Sequence, residues 1–407
     1  MKKLIAWFLT AAAVALPSNY DTVYTPQPGG GESPPTQYAF TSIEAVAASA
    51  PVKVPSVSAK GAILIDAASG RVVFDQNAGE RLPMASTTKI MTTLLCLESG
   101  GLEDYFTVDS NAIKVEGSSM GLQAGDRVTK RILCYGMMLP SGNDAANATA
   151  VRVGGSIESF VSMMNEKAQT LGLTDTHFVT PSGLDDYTDA HYSTARDMAM
   201  LTRTAMQNDE FRKICAASSA CLNFGNPPYE RWLTNSNRLL RNCQGVIGVK
   251  TGFTDKARRC LVSACERNGT TLICVTLNDP NDWLDHANLY DYGFSLVKHV
   301  SLESDYGLFE VPVAGGAQDT AKAKLAFEPS ASLFDGEADL VKQQVILPKF
   351  VYAPVVDGEA LGSVDYYVND MRICSVPIVA QGEIPAAPPE KMNIFEFYYK
   401  AFKELFS

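Results

Sequence analysis

MASTTKIMTT, residues 84–93, opens a helical run that continues through Leu94, Leu95 and Leu97 and stops at Gly100-Gly101. Serine is a good helix-entry residue and paired glycines end helices. Residues three apart share a helix face, so Ser86 in the first turn brings its hydroxyl beside the Lys89 amine. A serine hydroxyl becomes a useful nucleophile only with a base in hydrogen-bond reach. Lysine serves as that base when burial or a neighbouring cation lowers its pKa. The same residues also suit a capping serine followed by a solvated lysine. The pair therefore demands two further features, a second cation and a pocket.

Two later stretches supply them. In MLPSGNDAANATA (138–150), Ser141-Gly142-Asn143 breaks two apolar helical runs, Ile132 to Leu139 and Ala145 to Val153. A polar triplet between helices can aim a hydroxyl and an amide into a cleft, although Ser and Asn also cap helices. In GVIGVKTGFTDKARRCLVSA (245–264), an apolar strand runs into Lys250-Thr251-Gly252-Phe253. Lys250 is the candidate second cation, and Gly252 lets another chain segment approach the strand closely. An open edge there would hold an extended peptide by main-chain hydrogen bonds.

The surrounding chain gives these residues a frame. GAILIDAASGRVVFDQN (61–77) reads as a hairpin about Ala-Ser-Gly, and RRCLVSACERNGTTLICVTLND (258–279) as a second about Asn268-Gly269. Residues 103 to 210 read as mainly helical, with loops at EGSSMGLQAGD and TPSGLDDYTDAHYS. The stretch DWLDHANLYDYGFSLV closes this region as a helix near residue 300. Strands at both ends with helices between predict an α+β fold, an antiparallel sheet covered by helices with a helical subdomain, over residues 59–302. Short alternating runs broken by Pro and Gly predict a small all-β domain over 303–387.

The ends of the chain read differently. Lys2 and Lys3 precede LIAWFLTAAAVAL, an apolar run of 13 residues. That suits a secretory signal over residues 1–20 and is short for a bilayer span. Residues 21–58, with TPQPGGGESPPT, form a Pro/Gly-rich linker. EKMNIFEFYYKAFKELFS (390–407) reads as an amphipathic helix over 388–407, suited to a membrane surface. A net charge of −11 in 407 residues argues against a nucleic-acid partner. Nine cysteines and four histidines show no metal-ligand spacing. Buried free thiols are expected, with a Cys215–Cys221 disulfide as the one candidate pairing.

S-x-x-K, then S-x-N, then K-T-G, in that order, resembles the penicillin-recognising serine enzymes. The likeness extends through GSSMGLQAGD, HYSTARDMA and TNSNRLL to the D-alanyl-D-alanine carboxypeptidases, the low-molecular-mass penicillin-binding proteins of the bacterial envelope. It covers residues 59 to 300, and APVVDGEALGSVDYYVND (353–370) resembles their C-terminal domain. The resemblance implies catalytic roles for Ser86, Lys89, Ser141 and Asn143. Lys250, Thr251, Gly252 and Phe253 would bind substrate, with the backbone N–H groups of Ser86 and Phe253 as oxyanion donors. Removal of the terminal D-alanine from peptidoglycan stem peptides would follow, with β-lactams in the same site and no metal or organic cofactor. Two departures stand out: Phe253 follows K-T-G where some members carry His, and Ser236 stands where some carry Arg. Carboxylate recognition then falls to Thr251 and Lys250, with Arg238 as a further candidate. A DD-endopeptidase acting on crosslinks, a β-lactamase and a silent wall-binding protein are the rival readings. The β-lactamase reading lacks a separate Glu for deacylation in the region after Asn143.

Overall fold

In the computed structural model, which describes residues 53–185, 188–302 and 306–388, the predicted opening hairpin forms as β1 (Gly61–Asp66) and β2 (Val72–Gln76). A 3-10 turn, Ala85–Thr88, then leads into α1 (Lys89–Glu98). Two short strands, β3 (Phe106–Thr107) and β4 (Arg127–Val128), precede α2 (Lys130–Met138), α3 (Asn143–Gly154) and α4 (Ile157–Thr170). Next come α5 (Ala195–Ala205), α6 (Asp209–Ala216) and the hairpin of β5 (Ser219–Gly225) with β6 (Pro228–Thr234). The single turn α7 (Leu239–Asn242) leads into β7 (Val246–Thr254), β8 (Arg258–Arg267) and β9 (Thr270–Leu277). Helix α8 (Asp282–Leu296) and β10 (Val297–Ser301) follow.

These strands build an antiparallel sheet in the order β2-β1-β9-β8-β7. The Asn268-Gly269 turn joins β8 to β9, with both residues at positive φ, 49° and 81°. Register then sorts the side chains by face. Cys260, Val262, Ala264, Ile273 and Val275 join one core with residues of α1, α2 and α5. Leu261, Cys265, Leu272 and Cys274 join a second core with Leu289 and Tyr290 of α8. Helices thus cover both faces, and β7 is left at the sheet's edge.

The helical reading of 103–210 holds only from Lys130 onward. The departure is at 103–115 and 127–129, which carry turns and two short strands. In the first, the Asp109 carboxylate accepts from the N–H groups of Asn111 and Ala112 at 2.9 and 2.8 Å. The EGSSMGLQAGD loop between them forms as expected, gathered from outside by Asp144. Its carboxylate accepts from the backbone N–H groups of Met120, Gly121 and Leu122 at 2.9, 3.1 and 2.9 Å, and from the Ser119 hydroxyl at 2.6 Å. Groups held by a distant carboxylate are not free to make a helix.

The remaining strands are β11 (Phe309–Ala314), β12 (Thr320–Leu325), β13 (Ser330–Phe334), β14 (Lys342–Ile346), β15 (Val351–Tyr352), β16 (Ala360–Val368) and β17 (Met371–Ala380). Six form a sheet in the order β14-β16-β17-β12-β11-β15, the all-β domain read from the sequence. The seventh, β13, pairs with β10 along its whole length. Residues 330–340 accordingly group with the first unit rather than with the six-stranded sheet.

The signal segment, most of the linker and the tail helix lie outside the described residues. The suggested Cys215–Cys221 disulfide is absent. Cys215 is buried in α6, where its thiol donates to Arg212 O at 3.4 Å and Ile247 O at 3.5 Å, whereas Cys221 is exposed on β5. The two side chains leave their backbones in opposite surroundings.

Candidate active site

Ser86 sits in the 3-10 turn rather than at the cap of α1. Side chains three apart eclipse one another in a 3-10 turn. Lys89, the first residue of α1, is 0% exposed, and its Nζ lies 2.9 Å from Ser86 Oγ. The amine donates to Asn143 Oδ1 at 2.8 Å and to the backbone carbonyl of Ser182 at 2.7 Å. Burial holds the Lys89 pKa well below the ordinary lysine value, and the charge of Lys250 lowers it further, against the opposing pull of Asp144. Lys250, on β7, is 1% exposed, and burial lowers its pKa to about 7. Its amine donates to Thr251 O at 2.9 Å. Lys250 is thus the buried amine whose charge, when carried, lowers the Lys89 pKa.

The S-x-N triplet is built as a junction between α2 and α3. Ser141 has a φ of 66°, a conformation that non-glycine residues adopt at a cost. Asn143 opens α3 and is tied on every side. Its backbone N–H donates to Ser118 O at 2.7 Å, its Nδ2 to Glu116 O at 2.7 Å, and its Oδ1 takes the Lys89 hydrogen bond. The Asn143 carbonyl oxygen, on a residue that the resemblance puts among the catalytic ones, is engaged by Lys89.

Two glycines let the remaining walls close on the serine turn. A Cβ on Gly252 would lie 3.1 Å from Met84 O and 3.2 Å from Ser86 N, so β7 lies directly against the backbone of the turn. A Cβ on Gly183 would lie 1.9 Å from Ala85 O. The TPSG loop, whose Ser182 carbonyl binds Lys89, thus presses on the residue before Ser86. Ala85 itself has a φ of 49°. Its carbonyl accepts from Thr88 Oγ1 at 2.8 Å, and that hydroxyl lies 2.8 Å from His191 Nε2. Val179 N–H donates to His191 Nδ1 at 2.9 Å, which leaves the proton on Nε2. Burial lowers the His191 pKa to about 3, with His177 and Lys89 adding to it, so the ring works as a neutral brace.

Ser86, Ser118, Ser141, Ser236, Thr251 and Phe253 line an open pocket of about 360 Å³. Ser236 and Thr251 bond hydroxyl to hydroxyl at 2.8 Å. Phe253 is 56% exposed at the rim, and Arg238 lines the same pocket. All eight residues selected from the sequence therefore belong to one region of the fold. Sequence reasoning missed the Ser182 carbonyl, the His191 brace and the wall of Trp283, Arg259 and Asp282. Arg259 donates to both Asp282 oxygens at 2.6 and 2.9 Å and lies over the Trp283 ring, 5.4 Å from its centroid. No local pattern marks a backbone carbonyl as a ligand. The Gly in TPSG was the one available signal.

Residues 45–281 match the D-alanyl-D-alanine carboxypeptidase family, and residues 299–386 match the C-terminal domain of penicillin-binding protein 5. The chain belongs to the D-alanyl-D-alanine carboxypeptidase family. Among carboxypeptidase relatives, DacF of Bacillus subtilis is 31% identical over 340 residues, covering 81% of this chain and 86% of its own. DacB2 of Mycobacterium tuberculosis is 36% identical over 259 residues, covering 62% and 88%. The solved structure of penicillin-binding protein 5 from Haemophilus influenzae superposes with a TM-score of 0.61 at 28% identity, covering 82% of this chain and 99% of that one. Both the α+β catalytic unit and the β domain of this carboxypeptidase family member thus have counterparts in one relative.

Proposed function

We propose that this chain is a serine D-alanyl-D-alanine carboxypeptidase that removes the terminal D-alanine from peptidoglycan stem pentapeptides through a Ser86 acyl-enzyme. The observation that carries this reading is the set of partners around Lys89 Nζ. Asn143 Oδ1 and Ser182 O accept hydrogen bonds and cannot donate them. The Ser86 hydroxyl can donate. A neutral amine gives its two hydrogens to the two fixed acceptors and keeps its lone pair for the Ser86 proton. Burial and Lys250 favour that neutral state, against the pull of Asp144.

Chemistry follows from that arrangement. Ser86 Oγ attacks the carbonyl between the two D-alanines while Lys89 takes its proton. The backbone N–H groups of Ser86 and Phe253 receive the developing oxyanion. The C–N bond breaks, Ser141 helps deliver a proton to the leaving D-alanine, and water hydrolyses the ester to restore Ser86. An extended stem peptide lies along the open edge of β7. Thr251 and Ser236 receive the terminal carboxylate, with Lys250 and Arg238 supplying positive charge. A β-lactam enters the same site and leaves a slowly hydrolysed ester. Export behind the N-terminal signal, and attachment of residues 390–407 to a membrane surface, complete this reading; it rests on sequence pattern alone.

Intact-mass analysis after incubation with penicillin tests the nucleophile. A stable adduct mapped to the Ser86 peptide and absent in Ser86→Ala is the expected result. Hydrolysed penicillin without an adduct moves the assignment to a β-lactamase. D-alanine release from a pentapeptide separates the carboxypeptidase from an endopeptidase, which would cut a crosslinked peptide instead.

A further inference from the structure

Away from the pocket, two cysteines meet at the start of the strand that carries the K-T-G motif. Cys243 caps the C-terminus of α7 and is half-buried, and Cys265 is buried near the end of β8. Cys265 Sγ reaches the carbonyl of Gln244, the residue after Cys243, and Arg267, two positions after Cys265, reaches Cys243 Sγ, so the two thiols share one set of neighbours. The backbone between α7 and β7 is clamped over this pair. Cys265 Sγ donates to Gln244 O at 3.4 Å, Arg267 Nε donates to the same carbonyl at 3.1 Å, and Glu266 N–H donates to Gly245 O at 2.8 Å. The Arg267 guanidinium also donates to Cys243 Sγ at 3.6 Å and pairs with Asp291 at 2.9 Å. The neighbouring Cys265 thiol and the charge of Arg267 bring the Cys243 pKa down to about 6, against burial and the Asp291 charge. Cys243 is thus shifted towards its thiolate and is reachable from solvent, the two requirements for thiol exchange.

Four buried cysteines lack both features. Cys96 of α1 and Cys134 of α2 are both fully buried, and Cys134 is pushed well up. Cys215 and Cys260 are buried and pushed up to about 12.

We propose that Cys243 and Cys265 form a thiol–disulfide exchange site, in which Cys243 attacks a small disulfide donor and Cys265 resolves the mixed disulfide into an internal bridge. In the first step Cys243 Sγ bonds to one donor sulfur, the donor S–S bond breaks, and one donor thiol leaves. In the second, Cys265 gives up its proton, its sulfur bonds to Cys243 Sγ, and the second donor thiol leaves. Two protein thiols are oxidised by two electrons, and the donor disulfide is reduced to two thiols. The bridge closes a loop that contains all of β7, so it fastens the strand bearing Lys250 to the end of α7, whose N-terminal neighbour Arg238 lines the pocket. Oxidation thereby stabilises two walls of the site without touching the reacting atoms.

The full chain, reduced and then exposed to oxidised glutathione under native conditions, tests this. The expected product has lost about 2 Da, and non-reducing digestion joins the Cys243 and Cys265 peptides. Its Tm rises by about 5 °C, as closure of a loop of this length requires. Cys243→Ser abolishes the mass loss, and Cys265→Ser traps one glutathione on Cys243. Failure of the wild-type chain to lose mass overturns the proposal, as does a bridge mapped to Cys96–Cys134 or a bridged product with unchanged Tm. Should Cys265→Ser fold poorly, wild-type mapping and Cys243→Ser decide the matter alone.

Discussion

Among the described residues, three groups hydrogen-bond with Lys89 Nζ, and of these the Ser86 hydroxyl is the one that can hand it a proton. Lys89→Met keeps the bulk of the side chain and removes the proposed base. Acylation by penicillin should fall about 10²–10⁴-fold, read as the rate of adduct formation, and a near wild-type rate would remove Lys89 from the mechanism. The variant should also lose stability, since Asn143 Oδ1 and Ser182 O lose their donor, at about 1–3 kcal/mol each. Lys250 makes a separate, pH-dependent claim. Its folded pKa of about 7 lies below the value of a free lysine, so the folded state binds this proton more weakly than the unfolded one. The fold is penalised at low pH, and the penalty is relieved as pH rises from about 7 towards 10.5. Urea unfolding across that window should show wild-type stability climbing relative to Lys250→Met. Parallel curves for the two proteins would mean that Lys250 is not desolvated in solution.

At the level of elements, the site exists because β7 and the TPSG loop close on a single 3-10 turn. The two glycines that permit this differ in what they tolerate. Gly252→Ala places a methyl 3.1–3.2 Å from Met84 O, Ala85 Cβ and Ser86 N, contacts that yield by a few tenths of an ångström. The fold should survive with Tm near wild type, while acylation drops about tenfold because the serine turn is displaced from β7. Gly183→Ala puts its methyl 1.9 Å from Ala85 O at a φ of 90° and should cost about 3 kcal/mol of stability. Thermal unfolding beside penicillin acylation separates the two cases. Equal acylation by Gly252→Ala and wild type would show that strand contact does not position Ser86.

On the scale of the whole molecule, the unit that holds the site extends beyond the segment that reads as catalytic. Strand β13 returns from later in the chain to pair with β10, and its neighbourhood is pinned from β2's end of the sheet. Arg71 pairs with Glu337 at 2.6 Å, with 11% and 15% of the two side chains exposed, and lies over the Phe334 ring 4.4 Å from its centroid. Arg71→Ala leaves the Glu337 carboxylate largely buried without its cation and should lower stability by about 2 kcal/mol in urea unfolding. Stability equal to wild type would make the returning strand an incidental contact. Acid should act on the same unit through His191 and His286, both lowered by burial to about 3. Each is held neutral when folded and charges at its ordinary pKa when unfolded, so their contribution is complete above about 6.5 and is lost as pH falls towards 3.

Much of this was legible in the chain itself. Period-two runs around Asn268-Gly269 and Ala-Ser-Gly marked the hairpins of the sheet, and the order of Ser86-x-x-Lys89, Ser141-x-Asn143 and Lys250-Thr251-Gly252 marked the site. Such patterns are local, because side-chain periodicity and turn chemistry are set by neighbouring residues. Folding decided what depends on distant partners. Asp144 gathered the N–H groups of Met120, Gly121 and Leu122 from 22 to 24 positions away, which set the path of a loop whose existence the sequence had shown. Ser182 offered its carbonyl to Lys89 from 93 positions away, and a strand beyond residue 329 joined the catalytic unit. Backbone carbonyls look alike in any sequence, and only the closed fold determines which of them faces a buried amine.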